Sequence, residues 1–439
     1  MKRVFSGLTL IALAALTIAG ALVLGGSSAS AQAPGPTSGT QLAGNLLNPR
    51  GMKIGPDGMI YVAEAGTGGT IVGTATDPGT SGPTGRISKI DPATGTRTTV
   101  ADNLPSNGTA EGDTVGPADV AFIGNQLYYV QTHGGAAYGF PNNPTGVYKV
   151  NSNGTVTLVG NIGAFNIATP VTDISSGKQQ DIEVGGNPYS MVVRDGAFYV
   201  VDGNQNQIEK VTTAGAVTRF AEFPGHPVTT GITYKGSGPF FVTTLGQFPF
   251  LPSAGQVLQV GYPTGSVTKV TDGVSSLTDI EYGPGGQLYA VNFADNATDP
   301  NAPAPWIPFT GKLMKVNADG TFTPLVTGFT ATTQLIFNGD TAYISNNGVN
   351  FVGAGEIWQV PNVSALQPLA VSPTPAPSAT APAAAPTSTP VTGVVAPNTG
   401  SGPDGGSGMF GWYLAGIMIA IVGGALVVSG RVAVRNSRR

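Results

Sequence analysis

Apolar and polar residues alternate in short runs along most of the chain, and these runs come in groups of four. In Pro49–Asp102, for example, Met52–Ile54 and Ile60–Ala63 alternate on either side of a Gly-Pro-Asp-Gly turn. Arg86–Ile90 alternates again, and Thr96–Val100 follows a Pro-Ala-Thr-Gly turn. Alternation with a period of two is typical of β-strands, so this stretch predicts a unit of four short strands.

The same unit occurs six times up to Val360. First strands are predicted at 49–54, 117–122, 188–193, 229–234, 277–282 and 332–337, and their fourth and sixth positions are always apolar. Five units have a fourth strand, whereas the sixth lacks one, and Thr40–Asn45 resembles the missing strand. Because ring closure leaves no open sheet edge, the pattern predicts an all-β, six-bladed β-propeller over residues 40–360, closed by its N-terminal strand. A β-solenoid is disfavoured, since its repeats are shorter and it needs no such closure.

Composition agrees with a turn-rich β protein. The 439 residues include 65 Gly and 35 Pro and only 10% charged residues, so long helices are not expected. The net charge of −4 gives no electrostatic basis for binding nucleic acid. The absence of cysteine excludes disulfide bonds and thiolate metal sites.

The N-terminus has the pattern of a signal peptide over residues 1–31. Lys2 and Arg3 precede the apolar run Leu8–Leu24, and Ala29-Ser30-Ala31 is a small-residue cleavage site. An uncleaved anchor helix is the alternative. Either way, the sequence predicts that the propeller is exported.

The C-terminus has the pattern of a stalk and an anchor. Residues 363–408 are rich in Pro, Ala, Thr and Ser and predict an extended, polyproline-like stalk. Residues 409–430 are apolar and long enough to cross a bilayer as a transmembrane helix. The basic tail 431–439 predicts a cytoplasmic C-terminus, so the propeller is expected outside the cell membrane.

Residues 396–400 (Ala-Pro-Asn-Thr-Gly) resemble the sortase sorting signal, Leu-Pro-x-Thr-Gly followed by an apolar helix and a basic tail. Pro397, Thr399 and Gly400 match this signal, and Ala396 stands in place of the leucine. The resemblance implies sortase as a partner and covalent attachment to the wall. The departure at Ala396 favours a plain membrane anchor over this processing.

Polar residues at one repeated position predict a site at one mouth of the propeller channel. The fifth residue of every second strand is polar: Glu64, Gln131, Asp202, Thr244, Asn292 and Asn346. Asp119 and Asp279, near the starts of first strands, are expected at the same mouth, together with the long insertions 65–85, 132–146, 245–255 and 293–311. Two interpretations stay open: a ring that binds a ligand or ion, and polar strand ends that bond to water or backbone.

Other candidates for chemistry are weaker. His133 and His226 fall in loops of different units, and neither has a neighbouring motif that indicates a catalytic base. The aromatic clusters at 306–309 and 248–250 indicate either a recognition patch or side chains that fold over the scaffold.

The span 42–360 resembles the ScyD/ScyE family of exported propeller proteins. The resemblance lies in GPDGMIYVAEAGTGG (55–69), GPTGRISKID (82–91), GPADVAF (116–122), NPYSMVV (187–193), GITY (231–234) and LTDIEYGPGGQLYAVN (277–292). It implies a six-bladed, NHL- or TolB-like propeller and assigns no catalytic residue.

Calcium-dependent gluconolactonase and paraoxonase-like propellers are the nearest enzymatic comparison. That resemblance implies acid and amide metal ligands just before the first strands. The matching residues are Arg50, Ala118, Tyr189, Thr230, Thr278 and Thr333, none of which is an Asp, Glu or Asn. This counts against that active site, although Glu64, Asn292 and Asn346, with Asp119, offer oxygens for a displaced calcium site.

Three functions therefore stay in view. The favoured prediction is a membrane- or wall-anchored binding or scaffold propeller that uses its polar mouth and loops to bind a glycan, a peptide or a small molecule. The second is an extracellular metal-dependent hydrolase or lactonase with its site at the channel mouth. The third is a purely structural envelope protein.

Overall fold

The computed structural model describes residues 35–72, 79–109, 113–171, 185–247, 250–298, 306–349 and 354–370. The predicted signal peptide, transmembrane helix, sorting signal and basic tail lie outside these residues, as does the stalk beyond Ala370. Within these ranges, no helix has the length and apolar character needed to cross a bilayer.

The regular secondary structure of the described residues is almost entirely β-strand. In chain order they are β1 Thr40–Leu46, β2 Pro49–Ile54, β3 Ile60–Glu64, β4 Ile71–Val72, β5 Thr80–Ile90, β6 Arg97–Gly108, β7 Thr114–Val115, β8 Pro117–Ile123, β9 Gln126–Gln131, β10 Gly146–Val150, β11 Val156–Asn161, β12 Pro188–Arg194, β13 Ala197–Asp202, β14 Gln207–Thr212, β15 Val217–Glu222, β16 Thr229–Tyr234, β17 Phe240–Thr244, β18 Gly255–Val260, β19 Val267–Val274, β20 Leu277–Tyr282, β21 Leu288–Asn292, β22 Asp295–Asn296, β23 Trp306–Ile307, β24 Gly311–Val316, β25 Phe322–Phe329, β26 Gln334–Asn338, β27 Thr341–Asn346 and β28 Gly355–Val360. One short α-helix, α1, spans Ile162–Ala168, and 3₁₀ turns span Ala136–Tyr138, Pro284–Gly286 and Val363–Ala365.

Most of the strands form six antiparallel sheets, which are the blades of a propeller, and β22 and β23 pair separately. Blade 1 is β2-β3-β5-β6, with β4 and β7 added to its outer strands; blades 2, 3 and 4 are β8–β11, β12–β15 and β16–β19; blade 5 is β20-β21-β24-β25. The innermost strands contact one another in the closed order β2, β8, β12, β16, β20, β26 and back to β2. The predicted six-bladed propeller is therefore confirmed.

Blade 6 is built from both ends of the domain, in the order β26-β27-β28-β1. The N-terminal strand β1 pairs antiparallel with β28, from Thr40 opposite Gln359 to Leu46 opposite Gly355. This confirms the predicted closure. Residues 363–369, predicted as the start of the stalk, instead pack on the propeller. Val363 is buried, and Leu369 N donates a hydrogen bond to Pro324 O at 2.9 Å.

The pairing of the first two strands defines two faces of the ring. In blade 1, Pro49 pairs with Glu64 at one end and Ile54 with Ile60 at the other. We call the first end the loop face, because the insertions that follow the second strands emerge there, as predicted. The other end is the hairpin face, where tight turns such as 55–59 join the strands. Some insertion residues form strands: β5 and β6 extend beyond the predicted strands 86–90 and 96–100, and β22 pairs with β23.

The hydrophobic core lies between neighbouring blades. The fourth residue of every inner strand is fully buried there: Met52, Val120, Met191, Ile232, Ile280 and Leu335 are at most 2% exposed. The aromatic residue of the second strand packs across the next interface. Tyr61 of blade 1, for example, meets Phe122 of blade 2 edge-on, with ring centroids 5.0 Å apart. The repeated apolar positions therefore hold the ring together and leave the inner strands to line the channel.

Candidate functional site

The six polar strand ends lie at the loop face, as predicted, but their side chains are buried in the scaffold. Asp202 is the clearest case, because it is fully buried at the end of β13. Its Oδ1 accepts hydrogen bonds from the backbone nitrogens of Asn187, Asn204 and Gln205 at 2.9–3.0 Å. Its Oδ2 accepts from Asn166 Nδ2 of α1 at 3.1 Å. Asp202 thus fixes the loops on both sides of its blade.

Glu64 has the same role in blade 1. One carboxylate oxygen accepts from Leu47 N at 2.6 Å, and the other accepts a short hydrogen bond from the Ser88 hydroxyl. Arg86 and Arg97 add ion pairs at 3.7 and 3.4 Å. The carboxylate therefore joins the linker from β1 to the outer strands of its own blade.

The other four strand ends are also engaged by protein groups. Three of them accept hydrogen bonds from backbone nitrogens: Thr244 Oγ1 from Gln256 N at 3.0 Å, Asn292 Oδ1 from Lys312 N at 2.7 Å and Asn346 Oδ1 from Thr330 N at 2.8 Å. The fourth, Gln131, donates from Nε2 to the backbone carbonyls of Pro105 and Thr132 at 3.0 and 2.7 Å. Of the two interpretations left open by the sequence, the contacts support polar strand ends that bond to backbone.

The predicted calcium ligands are already hydrogen-bonded within the protein. The acceptor oxygens of Glu64, Asn292 and Asn346 each receive a hydrogen bond from within their own blade or its linker. A calcium site needs several oxygens directed at one point. Within the described ranges, no three His, Cys, Asp or Glu side chains come together in a way suited to a metal ion.

Asp119 and Asp279 lie in the wall of the channel. Each is buried on an inner strand and bridges to the next blade: Asp119 Oδ2 accepts from Met191 N, and Asp279 Oδ2 accepts from Leu335 N, both at 2.8 Å. The inner strand of blade 1 has a glycine, Gly51, at the position that Asp119 occupies in blade 2. A Cβ on Gly51 would collide with Asp119 Oδ1 and lie 2.6 Å from its Cα. Gly231 makes the same space for Asp279.

The loop-face end of the channel is closed by two side chains. Tyr189 of blade 3 reaches across to blade 6, where its hydroxyl donates to the Thr333 carbonyl at 3.2 Å. Arg50 pairs with Asp113 at 2.8 Å and also donates to the carbonyl of Thr114. The cavity left between them is about 20 Å³, enough for about one water molecule. Burial raises the pKa of Tyr189 above its ordinary value, so the side chain that closes the channel is a neutral phenol.

The hairpin-face end holds a larger cavity of about 280 Å³. Its lining includes Lys53, Ile54, Phe122, Val193, Tyr234 and Glu281. Lys53 forms no hydrogen bond or ion pair with any described residue. Glu281 Oε1 accepts from Thr233 Oγ1 at 2.8 Å and from Tyr282 N at 2.9 Å, whereas no described donor reaches its Oε2. The cavity therefore presents one positive and one negative group, each with unused bonding capacity.

The electrostatic field of the channel couples this cavity to the buried aspartates. Burial disfavours the charged form of Lys53, but the carboxylates of Asp119, Glu281 and Asp279 outweigh it and raise the Lys53 pKa above its ordinary value. Burial raises the pKa of Asp119 to about 6, even though Lys53 opposes this. For the same reason the pKa values of Asp279 and Glu281 are raised. Near neutral pH, one ammonium thus lies among three carboxyl groups that hold their protons more tightly than usual.

Lys53 and Glu281 were missed by the sequence analysis, although a signal for them exists. Both occupy the fifth position of an inner strand, where the other blades have Ala121, Val192, Thr233 and Ile336. Each follows a fully buried apolar residue, Met52 or Ile280, and a charge beside the core costs free energy unless it is paired or hydrogen-bonded. The signal for the cavity is therefore the charge of Lys53 and Glu281 at a position that is uncharged in the other four blades.

The weaker candidates lie away from this cavity. The His133 ring is buried and stacks on Tyr138, with centroids 4.7 Å apart, and His226 Nδ1 lies 3.3 Å from Asn206 Nδ2. Among the aromatic loops, the Trp306 ring packs 4.8 Å from Phe293 and 6.0 Å from Phe250, centroid to centroid. Residues 248 and 249 lie outside the described residues. These aromatic rings therefore join the loops of blades 4 and 5 to each other.

No protein family profile and no curated protein matches the chain. Solved structures with similar architecture include virginiamycin B lyase from Staphylococcus aureus (12% identity, 74% of this chain and 98% of that one, TM-score 0.40). They also include a gluconolactonase from Xanthomonas campestris (12%, 74% and 97%, 0.40) and the PQQ-bound aldose sugar dehydrogenase from Streptomyces coelicolor (14%, 74% and 97%, 0.45). At these levels of similarity the propeller assignment rests on the strand topology itself, and membership of the ScyD/ScyE family stays a prediction.

Proposed function

We propose that this chain is an exported, surface-tethered propeller that binds a small ligand in the hairpin-face cavity. The observation that carries the proposal is the cavity of about 280 Å³, whose wall includes Lys53 and the free Oε2 of Glu281. Polar groups with unused capacity, set among apolar residues in a concave site, are typical of small-molecule sites. The site differs from the predicted one, because the polar strand ends of the loop face are engaged within the scaffold.

The exported and tethered placement is supported by the sequence alone. The pattern of residues 1–31 is that of a signal peptide, and residues 409–439 have the pattern of an anchor with a cytoplasmic tail. The resemblance to exported ScyD/ScyE proteins agrees with it. Protease added to intact cells should therefore remove the propeller while the tail remains protected. Degradation of the propeller only after lysis would contradict the placement.

Binding in the cavity is tested with a library of small neutral, cationic, anionic and zwitterionic compounds. Thermal shift finds ligands of the purified full-length chain, and calorimetry measures their affinities. Ligands of the proposed site should bind Lys53→Met or Glu281→Gln at least tenfold more weakly than the unaltered chain, since a charge-assisted hydrogen bond is lost.

Lys149→Met and Glu222→Gln are matched controls, because both residues lie on outer strands of their blades, on β10 and β15. These variants should keep full affinity. The proposal is wrong if no compound binds, or if every ligand binds the channel variants as tightly as it binds the controls.

A further inference from the structure

The hairpin-face cavity carries its two charged groups on different blades, Lys53 on blade 1 and Glu281 on blade 5. Neither group neutralises the other by direct contact, since Lys53 forms no ion pair with a described residue. The following inference names the class of ligand for this site and rests on the proposed function.

Lys53 supplies a positive group that lacks an acceptor. Its neighbour Met52 is fully buried, and Ile54 lines the cavity with it. Asp119 and Asp279 lie deeper in the channel and act on Lys53 through their field without bonding to it. An ammonium group held charged in this way is suited to bind a carboxylate of a ligand, with hydrogen bonds that are strong because both partners are charged.

A purely anionic ligand is nevertheless a poor match for the cavity. One ammonium faces three carboxyl groups, so the channel has an excess of acid over base. The buried Asp279 Oδ1 also accepts no hydrogen bond from any described residue, so one channel oxygen is not stabilised by a donor. The negative charge that a ligand brings into the cavity is therefore favourable only if the ligand also carries a positive group.

Glu281 is the natural partner for that positive group. Its Oε1 is fixed by Thr233 and by Tyr282 N, so the carboxylate is already oriented before a ligand arrives. Its Oε2 is left to accept a hydrogen bond from the ligand. A carboxylate held by two protein donors loses little further freedom on binding, which favours affinity.

The rest of the lining is mainly apolar. Phe122, Val193 and Tyr234 contribute to the wall, and the Tyr234 hydroxyl is occupied because it donates to Val193 O at 2.6 Å. A cavity of about 280 Å³ suits a small molecule better than a polymer. We propose that the cavity binds a small zwitterion of the amino-acid class, with its carboxylate on Lys53, its ammonium on Glu281 and an apolar side chain against the wall.

Three probes that differ in their charged groups test this assignment by calorimetry on the full-length chain at pH 6.5, where the amino group of an amino-acid ester is protonated. Leucine carries both charges, leucine methyl ester only the positive one, and N-acetylleucine only the negative one. Leucine should bind at least tenfold more tightly than either derivative. Lys53→Met should remove the difference between leucine and its ester, whereas Glu281→Gln should remove the difference between leucine and N-acetylleucine.

Control variants keep the test decisive. Lys149→Met and Glu222→Gln should preserve both differences, and Lys53→Arg should retain most of the preference for leucine because it keeps the positive charge. If Lys53→Met does not fold, the comparison of Lys53→Arg with Lys53→Gln replaces it.

Each remaining outcome overturns the assignment in a recognisable way. An ester that binds as tightly as leucine indicates a site for cations, and N-acetylleucine that binds as tightly indicates a site for anions. If none of the three probes binds while library ligands still depend on Lys53 and Glu281, the ligand class is wrong and the proposed function stands. If no ligand depends on either residue, both proposals fail.

Discussion

The two ends of the central channel use polar residues in opposite ways. At the loop face, Asp202 and the equivalent strand ends are engaged by backbone and side-chain groups, and Tyr189 and Arg50 close the channel. At the hairpin face, Lys53 and Glu281 line a cavity, and both can form further hydrogen bonds. The loop face has the long insertions that usually indicate function, yet the open charged site is at the other end.

The difference teaches how to interpret a repeat. A polar residue that occurs in every blade solves a problem that every blade has, namely the unpaired backbone groups at the end of its second strand. A charged residue that occurs in one blade alone solves no common structural problem. Lys53 and Glu281 are of this second kind, and the energetic cost of placing them inside the ring is the reason to look for a use.

The largest predicted effect comes from breaking the loop-face network at Asp202. Asp202→Ala should lower the free energy of unfolding by about 4 kcal/mol, because three backbone N–H groups and Asn166 lose their acceptor. Thr244→Val, the equivalent strand end of blade 4, should cost about 1 kcal/mol, since one hydrogen bond is lost. Urea denaturation measures both. Equal losses would show that the strand ends do not stabilise the protein through these contacts.

A comparable loss is expected in the middle of the channel. Gly51→Ala should destabilise the protein by about 3 kcal/mol, because the new methyl group meets the Asp119 carboxylate and backbone of the next blade. Gly185→Ala is the matched control, since a Cβ there has open space. Its unfolding free energy should change by less than about 1 kcal/mol. If Gly51→Ala is as harmless as the control, blades 1 and 2 are not packed as closely as described.

The sequence was sufficient to predict the blades and their closure, because alternation and the missing sixth strand are local patterns. It also placed Glu64, Asp202 and Asn346 correctly at the loop face. It could not show where their side chains bond, since Leu47, Asn187 and Thr330 belong to linkers with no pattern of their own. The cavity was missed for a related reason: Lys53 and Glu281 line the same cavity only when blades 1 and 5 are brought around the ring.

The buried carboxyl groups of the channel should make the stability of the protein depend on pH. The folded-state pKa of Asp119 is raised from 3.8 to about 6, so the folded state binds this proton more tightly than the unfolded state. The contribution of Asp119 to stability is therefore present at low pH and is lost as pH rises from about 4 through about 6. For a fully buried group, the loss is on the order of 2–3 kcal/mol.

Asp119→Asn tests the predicted direction of this pH dependence. The variant should lose less unfolding free energy than the unaltered chain between pH 4 and about 7, whereas Asp279 and Glu281 retain a dependence of the same direction. Lys53→Met should steepen the dependence, because Lys53 holds the Asp119 pKa down. Urea denaturation at several pH values measures the slope. An unchanged slope in both variants would remove the electrostatic link between the cavity and the buried aspartates.

The smallest effect is expected from calcium, and it tests the contrast between the two ends most directly. Millimolar calcium should change the melting temperature of the chain by less than about 1 °C relative to a chelator, because a ligand stabilises only a state that binds it. The oxygens of Glu64, Asn292 and Asn346 already accept protein hydrogen bonds, so an ion would have to displace them. Glu64→Ala should lower the melting temperature equally with and without calcium. A rise with calcium that Glu64→Ala or Asn292→Ala abolishes would place an ion at the loop face, and lactone or ester hydrolysis would then be the activity to measure there.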